Sequence, residues 1–377
     1  MAAPEVKQTS MEDFATPKTG MRLALDLDKV ARFVDKFAPF LPTANLRANQ
    51  FGTGTSNPTY LIWSESNPAS KFVLRRQPAG ELLEGAHQLD REFKVLKFLQ
   101  ETPVPTAKMY AYSDDRSVVG AAFYIMEAVP GRVLDDGGAS LSAEDRVKLW
   151  DSAASAAAAL HDVDYRGLTN FAKEGCYTRR LVNTWTKQHD AVDALVQQKL
   201  GRQCLSDEMR HVESWLLARR PMDEPTSLVH GDLGLHNFIV HPTEPKINAV
   251  LDWEMATFGH PFIDMNYMAG NLTNGWRSKL GSMALPDPSA LEGTPTEWEF
   301  AESYFKKRGI QPCSQVDWHF FSCVNLFRSA AIAQGVLARG LKGTASSGDT
   351  KNAIFQDSYI ACVKGAIQAV ESSSSKL

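Results

Sequence analysis

One stretch constrains this chain more than any other: SLVHGDLGLHNFIVHPTEPKINAVLDWEMATFGHP, residues 227 to 261. Asp232 follows a His-Gly pair in a loop after the apolar run SLV. Asn237 stands five positions later, at the head of FIV, and Asp252 closes the run INAVL fifteen positions beyond that. Two β-rich runs separated by the turn HPTEP predict a hairpin with Asn237 and Asp252 at the same end. An amide oxygen and a carboxylate there form a donor set for a hard cation such as Mg²⁺, with phosphate oxygens completing its shell. Asp232, on the loop before, is the group left to face whatever reacts at that cation. The competing reading makes His230, Asp232 and His236 ligands of a hydrolytic metal, and it leaves Asn237 and Asp252 without a role.

A phosphate site needs a clamp, and the N-terminal third has the parts of one. LRANQF, YLIW and KFVLRR predict three strands, the last two joined by turn formers from Ser64 to Ser70. The loop between the first two is GTGTSNP, where Gly52 and Gly54 let the backbone approach phosphates and Ser56 completes the candidate contact set. HQLDREFKVLKFLQE predicts a helix on which Glu92 sits beside the stripe of Leu89, Leu96 and Leu99. A carboxylate beside such a stripe is costly unless paired, and Arg75 of KFVLRR is the obvious partner. Arg76 must point to the other face of its strand. PVPTAKMYAYSDD and AAFYIMEAVPG predict two further strands, and Pro130-Gly131 marks a hinge.

Beyond the hinge the pattern turns helical. Ser142 and Asp145 stand in capping-box spacing at the start of an Ala-rich helix, and 176–220 and 296–370 supply more helix candidates. The expected organisation is a disordered leader at 1–21, a small lobe at 22–130, a larger lobe at 131–366 and a Ser-rich tail at 367–377. The length of 377 residues suits two lobes, and 44% hydrophobic with 22% charged residues is the composition of a globular chain. A net charge of −4 leaves no electrostatic footprint for nucleic acid or an anionic membrane. No window is expected to span a bilayer. Five dispersed cysteines without a CxxC pair predict a reducing compartment, with neither disulfides nor zinc. The leader lacks an apolar core and arginine, which argues against secretory and mitochondrial signals. The last residues, Ser375-Lys376-Leu377, spell the C-terminal address read by the peroxisomal import receptor, so a peroxisome or similar organelle is expected, and otherwise the cytoplasm.

HGDxxxxN followed by DWE resembles the catalytic and metal loops of the protein-kinase-like fold in its aminoglycoside phosphotransferase form. The resemblance implies a bilobal α+β fold, with a small antiparallel sheet plus helix in one lobe and a larger, mainly helical second lobe. It implies an ATP- and Mg²⁺-dependent kinase in which Asp232 positions and deprotonates the acceptor hydroxyl while Asn237 and Asp252 hold the metal. Arg75, paired with Glu92, orients phosphates, and backbone groups of about Glu127 to Val129 bond the adenine. His230 is structural, and Asp264 in GHPFIDM accepts backbone N–H bonds from the catalytic loop. Gly231 stands where protein kinases have Arg, Trp253-Glu254 where they have Phe-Gly, Arg75 where they have Lys, and His260 where the family usually has Asp.

The segments QFGTGTSNPTYLI, FVLRRQPAGELLEGAHQLDREFKVLKFL, HPTEPKINAVLDWEMATFG and FRSAAIAQGVLARGLKGTASSGD look more closely like the kinase-like segment fused to some acyl-CoA dehydrogenases, and like its stand-alone relatives. That resemblance covers about residues 25 to 366 and implies phosphorylation of a 4-hydroxyacyl-CoA in fatty-acid catabolism. Arg179, Arg180, Lys187, Arg328 and Arg339 suit such an anionic acceptor, with Arg328 and Gln334 the candidate contacts. The alternatives are a kinase of another small alcohol or an aminoglycoside, and a nucleotide-binding pseudokinase. The pseudokinase is disfavoured because every phosphoryl-transfer part is present, and a protein kinase because no A-P-E segment follows Asp252.

Overall fold

Alternating apolar residues in the N-terminal third build a five-stranded antiparallel sheet. Its strands are β1 (Leu46–Gln50), β2 (Thr59–Ser64), β3 (Asn67–Arg76), β4 (Met109–Ser113) and β5 (Phe123–Glu127), in the order β1-β2-β3-β5-β4. The computed structural model describes residues 25–51, 57–78, 89–134, 136–172, 176–200, 205–219, 226–273, 291–341 and 350–374. The leader at 1–21, the loop with Gly52, Gly54 and Ser56, and Ser375-Lys376-Leu377 lie outside them.

One face of the sheet carries Tyr60, Ile62, Phe72, Leu74, Phe123 and Ile125, and buries them against Val30, Phe33 and Val34 of α1 (Leu27–Phe37). Asp26 caps that helix by accepting the Lys29 N–H at 3.1 Å. The alternate residues Leu61, Val73, Arg75, Tyr124 and Met126 belong to the opposite face, because side chains alternate along a strand. There Phe93 of α2 (Leu89–Leu99) packs on Tyr112 and Tyr124. Arg76 lies on the α1 face, buried, donating to the Val119 carbonyl at 2.7 Å at the end of the short helix α3 (Arg116–Val119).

The chain divides into two compact units, and the division is not contiguous. Arg166–Phe171 and His236–Ala256 cluster with residues up to Leu134, whereas the sequence reading assigned them to the larger lobe. Backbone pairing explains it. After the hinge, Arg132 and Val240 exchange two hydrogen bonds, at 2.8 and 2.9 Å, while the Val250 N–H reaches the Pro105 carbonyl at 2.9 Å. Gly131 is required by close approach: a Cβ there would collide with the Ile239 side chain and the Val240 carbonyl. The strands so held are β7 (Phe238–Val240) and β8 (Ile247–Val250), an antiparallel hairpin.

The second unit comprises α4 (Ala143–His161), α5 (Tyr177–Leu200), α6 (Ser206–Ala218), α7 (Phe262–Thr273), α8 (Glu297–Arg308), α9 (Gln315–Leu341), α10 (Thr350–Ser374) and the strand pair β6 (Ser227–Val229) and β9 (Thr257–Gly259). Ser142 caps α4 by accepting the Asp145 N–H. The buried alanines 153, 154, 156, 157 and 158 give α4 a smooth face, and its Trp150 stacks edge-on against Phe300 of α8. Helix α9 corrects the expectation about apolar windows. It is long and apolar enough to cross a membrane by composition, yet 72% of that window is buried within the protein, as the core helix on which α5, α6, α7 and α10 pack. Cys323 and Cys362 are buried there as free thiols. Residues 367–374 are the last turns of α10, where Ala369 and Val370 are buried.

His260 precedes α7, and its Nδ1 accepts the Phe262 N–H at 3.1 Å, doing as a neutral ring what an Asp does as a charged one. Its ring lies 4.4 Å from Phe321 and 4.7 Å from Phe262. Burial, reinforced by His161 and Arg308, lowers its pKa to about 3. A histidine depressed from about 6.5 gives stability that is present above pH 6.5 and lost as pH falls toward 3. Between pH 7.5 and 5 that loss is about 2 kcal/mol. Chemical denaturation of wild type and His260→Asn across this interval should show the variant losing less stability by that amount; parallel profiles would contradict it.

Candidate active site

In the first unit Arg75 is the junction. Its Nε lies 3.2 Å from Glu92 Oε2, its terminal nitrogen 2.8 Å from Asp252 Oδ1, and the same nitrogen 4.0 Å from Glu254. Cross-strand pairing sets Tyr124 directly beside it. Glu92 is only 2% exposed because it falls within the buried stripe of α2, with Leu89, Val95, Leu96 and Leu99. Burial pushes its carboxyl up to about 7, against the pull of Arg75. Burial would lower the Arg75 guanidinium, but Glu92, Tyr124 and Asp252 hold it above its usual value. Burial and Glu92 likewise raise the Tyr124 hydroxyl. Tyr124 was missed from sequence because only the β3–β5 register reveals it.

The hairpin sets the other oxygen donors. Its last rung joins the Leu251 N–H to the Asn237 carbonyl at 2.8 Å, so Asn237 and Asp252 stand at one end. Asp252 takes a left-handed conformation, φ 63° and ψ 60°, at the start of the turn Trp253–Met255. Trp253 anchors that turn by burying its ring and donating Nε1–H to the Val250 carbonyl at 2.9 Å. Arg91, also missed from sequence, ties down the exit by donating to the Ala256 carbonyl at 2.7 Å and the Phe171 carbonyl at 3.0 Å. An amide and a carboxylate, all-oxygen and at one hairpin end, fit Mg²⁺ completed by phosphate oxygens and water. Glu127 still belongs to β5: its N–H bonds the Lys108 carbonyl at 2.8 Å and its carboxylate accepts the Lys108 N–H. Val129 follows the strand end, half-buried.

In the second unit the loop that carries Asp232 hangs on Asp264. This carboxylate is wholly buried and accepts the His230 N–H at 2.6 Å and the Gly231 N–H at 2.8 Å. His161 Nε2 lies 3.3 Å away. Burial alone would raise Asp264, but His161 and these N–H donors hold it below the usual range. Burial lowers the His161 pKa, so its ring is neutral; its Nδ1 pairs with the Tyr304 hydroxyl at 2.8 Å, which in turn accepts from Arg308 at 2.9 Å. That order assigns the Nε2–H tautomer, donating to Asp264. Nothing local in the sequence signals this relay, because its members are spread over 147 residues. His230 is fully buried, and its Nδ1 accepts the Asp232 N–H at 3.2 Å, which removes that nitrogen from any metal.

The two residues expected to contact the acceptor are both buried. Gln334 is fully buried, its amide oxygen 2.6 Å from His189 and its amide nitrogen 3.1 Å from Asp193, so it locks α9 to α5. Arg328 is 2% exposed and donates to the Gly231 carbonyl; it supports the loop. Arg179, Lys187 and Arg339 are exposed.

A carboxyl whose pKa folding raises gives stability complete below about pH 4.5 and lost as pH passes about 7. At pH 8 Glu92→Gln should therefore melt above wild type, while binding Mg·ADP about 10- to 100-fold more weakly because Arg75 loses its anchor. Calorimetry that finds unchanged affinity would contradict the pairing role.

The APH model, described as a phosphotransferase enzyme family, matches residues 47–302. Mouse acyl-CoA dehydrogenase family member 11 is 37% identical over 316 residues, 81% of this chain and 38% of that protein. The chain thus spans about two fifths of the length of the first curated relatives it matches. A solved candidate aminoglycoside phosphotransferase from Ralstonia eutropha is 32% identical with a TM-score of 0.75, covering 92% of this chain and 99% of its own. Choline kinase from Cryptosporidium parvum, 10% identical, shares the fold with a TM-score of 0.64 over 92% of this chain and 96% of its own. With its family match, a near-full-length structural relative and the loops described above, this chain belongs to the APH phosphotransferase enzyme family.

Proposed function

We propose that this chain transfers the γ-phosphoryl group of ATP to an alcohol, and that the alcohol is the 4-hydroxyl of a 4-hydroxyacyl-CoA. The observation that carries the kinase reading is the Arg75 junction, which ties Glu92 and Asp252 into one cluster with Asn237 at the same hairpin end. Arg75 forks onto phosphate oxygens while Glu92 fixes its direction. Asn237 and Asp252 would hold Mg²⁺, which when bound neutralises charge on the β- and γ-phosphates. Asp232 accepts the proton of the acceptor hydroxyl as the new oxygen–phosphorus bond forms and the bond to the β-phosphate oxygen breaks, releasing ADP.

The acceptor class rests on different support. The mouse relative is named as an acyl-CoA dehydrogenase family member, and Arg179, Lys187 and Arg339 offer exposed cations in the second unit to a polyanionic acyl-CoA. An aminoglycoside, itself a polycation, calls for acids instead.

Asp232→Asn should keep Mg·ATP binding but lose roughly 10²- to 10⁴-fold in turnover of 4-hydroxyhexanoyl-CoA, the range for positioned acid–base groups. Unchanged turnover would sink the assignment. Asp252→Ala should abolish the Mg²⁺-dependent part of nucleotide binding in titration calorimetry, and tight Mg·ATP binding by that variant would remove Asp252 from the metal site.

A further inference from the structure

Gly231 precedes the proposed base and offers no side chain to hold it, yet a guanidinium lies beside that carboxylate. We propose that Arg328 of α9, ninety-six positions along the chain from Asp232, is the positioning residue that fixes the Asp232 carboxylate for proton transfer. Its NH1 group donates to the Gly231 carbonyl, and its NH2 nitrogen lies 3.9 Å from Asp232 Oδ1. One planar group thus addresses the backbone before the base and the base itself, which a guanidinium can do and an ammonium cannot.

The surroundings of Arg328 suit this role. The residue is 2% exposed, whereas the Asp232 side chain is 23% exposed. The cation is therefore withdrawn and the carboxylate is presented. Its guanidinium carbon stands 5.2 Å from the Tyr267 ring of α7 and 6.0 Å from the Trp185 ring of α5. Two aromatic faces and a backbone carbonyl stabilise a buried positive charge and fix the plane of the fork. Gly231 is held from its other side as well, its N–H on Asp264 and its carbonyl on Arg328. The loop before Asp232 is clamped between a buried anion and a buried cation, and the cation continues onto the base.

The inference rests on Asp232 being the base, so the test separates the two claims. Arg328→Lys, Asp232→Asn and the double variant are compared for Mg·ATP turnover with 4-hydroxyhexanoyl-CoA, and for slow Mg·ATP hydrolysis by water, which needs no acceptor. Arg328→Lys should lower kcat about 10-fold or more, with the KM for ATP and acceptor unchanged. In the Asp232→Asn background the same change should cost less than 3-fold, because the group being positioned is already gone. In Arg328→Ala, guanidinium at millimolar concentration should restore part of kcat. An equal loss in both backgrounds, or a raised acceptor KM with kcat intact, would overturn the proposal and return Arg328 to structure or to acceptor binding. If Asp232→Asn alone keeps full turnover, the base assignment fails, a result read before Arg328 is considered. Should Arg328→Ala not fold, Arg328→Lys with its kcat and KM split still decides.

Discussion

Asp264 has no exposed surface, yet its carboxylate is held below the usual range because two backbone N–H groups and a neutral imidazole point at it. An anion buried so completely survives only where every lone pair finds a donor, and the donors chosen here are the backbone of His230 and Gly231. The loop that carries Asp232 thus takes its shape from the demand of a buried charge. The first unit repeats the logic with a different outcome. Glu92 is almost as buried, but there burial outweighs the pull of Arg75, and its pKa rises to about 7 where that of Asp264 falls. One carboxylate is saturated and rigid; the other is left near titration beside a cation shared with Asp252.

That contrast continues in what surrounds each carboxylate. The chain His161, Tyr304, Arg308 and Asp162 extends the support outward from Asp264 through hydrogen bonds of 2.7 to 3.3 Å. Arg75 lies between Glu92 and Asp252 with neither pairing exclusive. Departures from the usual family residues read as redistributed contacts. Gly231 gives up a side-chain cation and Arg328 brings one from α9; His260 gives up a charge and keeps the acceptor that begins α7.

Much of this could be read from the residues. The three-strand, helix, two-strand order of the first unit follows from alternation and turn formers, and pairing of Arg75 with Glu92 follows from a carboxylate on an apolar helix stripe. The common end of Asn237 and Asp252 follows from one short turn between two β-rich runs. What stayed hidden needed long-range register. Tyr124 joins the cluster because β5 pairs with β3, and Arg328 reaches Gly231 because α9 crosses beneath a loop far earlier in the chain. Composition also misled: α9 is apolar because it is the central helix of the second unit, and a Ser-rich C-terminal run reads as loose chain although its first residues continue a helix with a buried face. Gln334 shows the same limit, since a polar side chain in an apolar helix can serve a neighbouring helix as readily as a ligand.

The central claim is phosphoryl transfer to an alcohol, and product identity tests it most directly. The measurement is mass spectrometry of 4-hydroxyacyl-CoAs, free 4-hydroxy acids, choline, homoserine and kanamycin after incubation with the protein, ATP and Mg²⁺. The account predicts that the 4-hydroxyacyl-CoAs alone gain one phosphoryl group, at the 4-oxygen, with one ADP formed for each. Phosphorylation of an amine-bearing alcohol or a free acid instead would contradict the acceptor, and firm ATP binding with no phosphorylated product from any of them would contradict the kinase itself.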